Sequence, residues 1–201
     1  MGDVRNAAFA CLCGSRSTGV EWRMALNTDF RALSQSRIFP GAALFALSTG
    51  LILGAWAFQI IGGLAPCPLC LEQRIPWYAL IAVSAVLSFG LSGNWSGNWP
   101  RTTVMALYGV ALALVVWSAY LGLFHAGVEY KWWPGPATCT TGGAVNGTIN
   151  LDQLGGTKIP MCDIVPWSLA GVSLAGFNFL FSLVGVAIAS LGLLKTLREN
   201  A

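Results

Sequence analysis

Charge is what this sequence has least of. Of 201 residues, 11 are Lys or Arg and 8 are Asp or Glu, 9% in all. A soluble globular domain carries about 25%. So few charges cannot cover a water-facing globule, and with 55% of residues hydrophobic the expected solvent is lipid. Basic runs interleaved with aromatics are also missing, which argues against a nucleic-acid surface. There is no Rossmann glycine fingerprint, no flavin-type glycine loop and no haem Cys-x-x-Cys-His. The cysteines lack the paired knuckle spacing of a zinc site, so no metal is expected.

What is present in abundance is long apolar runs. Four of them, about 38–61, 75–91, 103–125 and 167–194, contain no Lys, Arg, Asp or Glu. Crossing ~30 Å of hydrocarbon takes about 20 such residues. The second run is short and is expected to begin earlier, within "PCPLCLEQRIPWY". The expected fold is an all-α membrane protein, a four-transmembrane-helix bundle. Residues 1–37 read as a loosely ordered arm, 38–195 as the membrane domain and 196–201 as a tail. Arg5, Arg16, Arg23, Arg31, Arg37, Arg101, Lys195 and Arg198 flank one side of these spans, and only Arg74, Lys131 and Lys158 the other. The positive-inside rule then makes both termini cytoplasmic and turns loops of about 62–74 and 126–166 outward.

That topology rests on Lys and Arg alone, yet it sorts the cysteines. Cys67, Cys70, Cys139 and Cys162 fall on the outer face, where disulfides persist in an oxidising compartment such as the periplasm. Cys11 and Cys13 fall on the reducing side, in an arm where Met24 is a second candidate start. "SGNWSGNW", 92–99, reads as a tight hairpin between spans. In the long outer loop Trp132 and Trp133 suit the interface, Pro134 and Pro136 stop the helix, and "INLDQL", 149–154, suits a short surface helix or strand. Asn146 heads a glycosylation sequon of a kind common by chance. Gly50, Gly54, Gly171, Ala175 and Gly176 are expected at helix contacts.

The chemistry gathers at the mouth of the second span. A Cys-x-x-Cys at a helix start is a redox geometry, because the positive end of the helix favours a thiolate. Pro68 suits a first helical turn, where its missing N–H costs nothing. Arg74 lies four residues after Cys70, on the same face, and a cation there favours any anion formed beside that sulfur. A disulfide across so short a ring braces little chain and is better suited to exchange than to support. Two structural disulfides in a non-enzymatic scaffold remain the competing reading. Exchange moves two electrons, and a lipid-soluble acceptor such as a quinone fits a pair seated at the bilayer surface. Gln59 and Asn178 read either as interhelical hydrogen bonds or as a polar lining for a bound headgroup. His125 reads either as an interfacial histidine or as a group handling protons or contacting quinone. Glu72, Glu129 and Asp163 are expected to be solvated or helix-start charges, with Asp163 next to the Cys162 thiol.

"PCPLCLEQRIPWY", the pair Cys139 and Cys162, "MCDIVPWSLAGVSLAGFNFLFS", "WAFQ" and "FHAGVEYKWWPGPATC" together resemble the DsbB family of bacterial inner-membrane proteins, over about residues 38–195. The arm and its Cys11 and Cys13 depart from the family pattern. The resemblance implies a thiol oxidase that reoxidises a DsbA-like periplasmic thioredoxin-fold protein and passes electrons to membrane ubiquinone or menaquinone. It implies that the partner attacks Cys139, that the freed Cys162 attacks Cys67, and that Cys70 is left as a thiolate facing the quinone. Arg74 would hold the quinone oxygen, with His125 and Gln59 nearby. A related oxidase serving a dedicated client is the nearest alternative.

Overall fold

The protein is described by a computed structural model covering residues 38–91, 99–137, 139–140 and 161–198. The expectations for the arm with Cys11 and Cys13, the turn 92–98, Asn146, the segment 149–154, Lys158 and the last residues lie outside the described residues.

Among the described residues there are four helices: α1 Ile38–Ile60, α2 Pro68–Leu91, α3 Arg101–Glu129 and α4 Leu174–Arg198. Helices are what an apolar chain must form in lipid, since each pairs its own backbone N–H and C=O groups. Three of them, α1, α3 and α4, are long and apolar enough to cross a membrane. The second helix is of similar length, 24 residues, but its first two turns carry Glu72, Gln73 and Arg74. It packs between α1 and α3, while α4 closes the bundle against α3 and α1.

The core runs along the bundle through Leu44, Trp77, Leu80, Leu87, Tyr108 and Val115. The outward faces stay apolar, with Leu53, Phe89, Val116 and Leu191 all more than half exposed, as lipid-facing surfaces should be. Buried serines are satisfied locally: Ser48 and Ser84 donate to carbonyls four residues back, and Ser182 reaches Ser118 at 3.0 Å from α4 to α3. Close packing relies on small residues, several of them not the expected ones. A Cβ on Gly122 would stand 2.8 Å from the Phe179 backbone nitrogen, and Gly192 faces the Tyr108 ring with no room for a side chain. Gly50 and Gly54, expected at contacts, have nothing within 4 Å and instead border a cavity.

The second helix starts at Pro68, inside the motif where it is expected to begin, and this takes Arg74 out of the loop 62–74. The bounds of the later helices differ from the sequence expectation at two places. The third runs four residues past His125, to Glu129. The fourth starts at Leu174 and not at 167. Before it, β1 (Ser168–Leu169) pairs antiparallel with β2 (Val172–Ser173). The two residues between them, Ala170 and Gly171, have φ of 51° and 80°, the pattern of a type I′ hairpin turn. An apolar run hides such a turn, because its signature is backbone conformation and not polarity. Gly171 therefore serves a turn and not a helix contact.

Candidate redox site

The first sulfur is placed by a helix cap. Cys67 occupies the N-cap of α2, and its Sγ accepts the Cys70 N–H at 3.1 Å, as an N-cap Ser or Asp oxygen would. Its carbonyl accepts the Leu71 N–H. Pro68 takes the first helical position, where its missing donor is harmless. The two thiols are free, with Cys67 buried and Cys70 half-buried. The hydrogen bond shared with Cys70, and then burial, push the Cys67 thiol well above its ordinary range.

The second pair is carried in by a chain reversal at the end of α3. Lys131 takes a left-handed φ of 59°. Its N–H donates to the Val128 carbonyl and that of Trp132 to the Gly127 carbonyl, which together make a Schellman motif. The helix therefore stops at Glu129, before Pro134 and Pro136 are reached. Trp133 folds back onto Gly127 and donates Nε1–H to the Phe124 carbonyl at 2.9 Å. The chain then returns to Cys139, whose N–H bonds the Pro136 carbonyl. Cys139 is disulfide-bonded to Cys162, with a Cα–Cα separation of 5.3 Å. Lys131 Nζ tethers the Cys162 side of the bridge, donating to Asp163 Oδ2 at 2.7 Å and to the Asp163 carbonyl at 2.8 Å.

These two constructions meet. Cys67, Leu69, Cys139 and Cys162 form one buried cluster, with Cys70 and Phe124 packed against it. Cysteines 67, 70, 139 and 162 thus come together. Among these four, only Cys70 borders a large apolar cavity. That cavity, about 420 Å³, lies between α1, the start of α2, the end of α3 and the start of α4. Its walls include Phe58, Trp167, Phe177 and Phe181, a row of rings in mutual contact. Its polar groups include Arg74, Gln59, His125, Glu129, Gln73 and Asn178. Arg74 Nη1–H donates to Gln59 Oε1 at 2.8 Å, and Trp77 Nε1–H to Asn178 Oδ1 at 2.7 Å. Gln59 and Asn178 are therefore interhelical partners, the first of their two sequence readings, and both also line the cavity. A smaller cavity of about 250 Å³ is bordered by Cys139, Pro136, Glu72 and Tyr120, and shares no lining residue with the first.

His125 is buried, and the Cys162 backbone is among its hydrogen-bond partners. Its Nε2 lies 3.6 Å from Cys67 Sγ and its Nδ1 2.8 Å from Gln73 Nε2. Cys67, Cys70 and His125 hold three potential ligand atoms within 4.8 Å of one another. A disulfide between the two cysteines would remove both sulfur ligands, so metal holding and thiol exchange are mutually exclusive uses of the group. Glu72 is exposed, as expected. Glu129 and Asp163 are not solvated: both are buried, because the reversal at Lys131 folds the following chain over the helix end. Glu129 lies one turn after His125, with Oε1 3.9 Å from Nε2, and its Oε2 has no partner among the described residues. Gln73 and Glu129 are the residues that sequence reasoning missed. A helical stripe was available as a signal, since Cys70, Gln73, Arg74 and Trp77 follow the i, i+3, i+4, i+7 pattern and all line the cavity.

The family model described as Disulfide bond formation protein DsbB matches residues 38–192. Curated proteins named Disulfide bond formation protein B are similar over most of their length. The one from Verminephrobacter eiseniae is 30% identical over 178 residues, 85% of this chain and 89% of the relative. That from a Polaromonas strain is 30% identical, covering 78% and 86%, and that from an Acidovorax strain 29%, covering 73% and 79%. No solved structure matches the chain. A helical bundle with membrane-crossing helices, a Cys-x-x-Cys at a helix start packed against a second cysteine pair, and a family match across the whole bundle agree, and the chain belongs to the DsbB family of disulfide bond formation proteins.

Proposed function

We propose that the protein oxidises a DsbA-like dithiol protein and hands the two electrons to a membrane quinone. The observation that carries this reading is the single cluster of four cysteines, in which only Cys70 borders an apolar cavity that also holds a guanidinium. Electrons enter at one pair and leave at the other. A thiolate of the reduced partner attacks Cys139 and expels Cys162 as a thiolate. Cys162 attacks Cys67 of an oxidised Cys67–Cys70 pair and expels Cys70. The partner's second thiol then closes its own disulfide and releases Cys139. Cys139 recaptures Cys162, which frees Cys67. The partner has lost two electrons and Cys67 and Cys70 have gained them. The bonding found, Cys139 to Cys162 with Cys67 and Cys70 free, matches this stage.

The cavity fits a quinone. When bound, that group supplies a two-electron sink that also takes up two protons. Arg74 offers a fixed donor and a positive charge to an oxygen gaining negative charge, and Gln59 holds the guanidinium in place. The row from Phe58 to Phe181 offers an apolar track for a prenyl tail. Cys70, half-buried at the helix start, presents the sulfur.

Orientation follows from charge. Arg101 donates to the Thr196 and Leu197 carbonyls, so it shares an end of the bundle with Lys195 and Arg198. By the positive-inside rule that end is cytoplasmic, and the cysteine cluster faces the periplasm across a bacterial inner membrane.

Anaerobic mixing of the purified protein with ubiquinone or menaquinone analogues and a reduced thioredoxin-fold dithiol tests the reading. Quinone absorbance should fall in step with disulfide formation in the partner. Protein whose Cys67–Cys70 pair is reduced by the dithiol yet never passes electrons to either quinone would overturn it.

A further inference from the structure

His125 is the chain's one histidine. A neutral imidazole has one donor nitrogen and one acceptor nitrogen, and its partners decide which is which. Here Gln73 decides. Its Nε2 lies 3.3 Å from the Leu121 carbonyl and 2.8 Å from His125 Nδ1. A carbonyl only accepts, so the Gln73 group facing Leu121 is the NH₂ and not the oxygen. Its second hydrogen then points at Nδ1, which must accept. The ring proton is left on Nε2, the nitrogen 3.6 Å from Cys67 Sγ. A nearby acceptor agrees with a proton there: Glu129 Oε1 lies 3.9 Å from Nε2.

We propose that Gln73 is a positioning residue that fixes His125 as its Nε2–H tautomer and so aims a hydrogen-bond donor at the Cys67 sulfur. The inference deepens the reading above and rests on it, since the donor matters chemically when Cys67 exchanges. Closing the Cys67–Cys70 bond requires Cys67 to give up its proton and attack as a thiolate, while two electrons and the protons of the pair pass to the quinone. Two donors then meet that thiolate, the Cys70 N–H of the helix cap and His125 Nε2–H. Both oppose the upward push that Cys70 exerts on the Cys67 thiol.

The test uses the full chain in detergent, labelled with ¹⁵N-histidine, its Cys67 and Cys70 reduced and no quinone added. One histidine gives one pair of ring resonances. Nε2 should be of the protonated type and Nδ1 of the lone-pair type. Gln73→Met keeps volume but removes the donor, and the single tautomer should be lost. In a Cys70→Ser background, the same change should slow methanethiosulfonate modification of Cys67 at neutral pH about tenfold. A wild-type spectrum with the proton on Nδ1 overturns the proposal whether or not the variant folds. Unchanged Cys67 reactivity alongside a lost tautomer overturns it too. Neither measurement involves quinone or partner, so a locked tautomer in a protein that reduces no quinone would sink the proposed function alone.

Discussion

The two cysteine pairs are built in opposite ways. Cys67 and Cys70 are three residues apart on a helix start, where the cap itself fixes the first sulfur. Cys139 and Cys162 are 23 residues apart and join two irregular segments. Closing a loop of that length restricts the unfolded chain by an amount worth ~3 kcal/mol, whereas a three-residue ring restricts very little. The long-range pair can brace as well as exchange; the short-range pair can hardly brace at all. The surroundings divide the same way. Cys70 borders the apolar cavity with Arg74, and Cys139 borders a smaller one beside Glu72 and Tyr120. Under the proposed function the first pair meets an apolar acceptor and the second a water-soluble dithiol.

Several substitutions would break or sharpen that contrast. The largest effect is expected for Cys70→Ser, which should lower quinone reduction about a thousandfold or more while leaving the Cys139–Cys162 bond intact in non-reducing mass analysis. A Cys70→Ser protein that still turns over quinone would erase the distinction between the pairs. Next comes Arg74→His. Losing a charged donor to the acceptor should raise the apparent KM for quinone about tenfold to a hundredfold, with the KM for the dithiol partner nearly unchanged. Steady-state titration of each substrate separately reads this, and equal shifts in both would remove Arg74 from the quinone side.

Gly122→Val addresses the scaffold that both pairs share. The added atoms meet the Phe179 backbone, and the packing of α3 on α4 should lose ~1–3 kcal/mol. A thermal unfolding midpoint in detergent that does not fall would contradict so close an approach. The smallest effect belongs to Lys131→Ala. Its ammonium is well exposed, so the tether to Asp163 is worth only ~0–1 kcal/mol. Dithiothreitol should reduce the Cys139–Cys162 bond about two- to threefold faster, with the Cys67–Cys70 pair unaffected.

How much was legible follows the range of the interaction concerned. The helix at Pro68 and the shared face of Cys70 and Arg74 depend on residues within a turn of one another, and periodicity shows them. The Lys131 reversal is equally local but went unread, because its left-handed residue is a lysine where glycine is usual. Glu129 was read as solvated because carboxylates usually are. Its burial depends on chain that returns over it.

The sequence by itself determined the rough extent of the four described helices, the grouping of four cysteines in the segments at one end of them, and the placement of a thiol pair at a helix mouth. These follow from apolar length, from Lys and Arg in the flanks and from capping, all of which act along the chain. Tertiary structure alone decided that residues 67, 70, 139 and 162 share one cluster, and that Gln73 faces His125 across 52 positions. Such pairings are set by which helix faces meet and by the need of each buried polar group for a partner, and neither leaves a local trace in the order of residues.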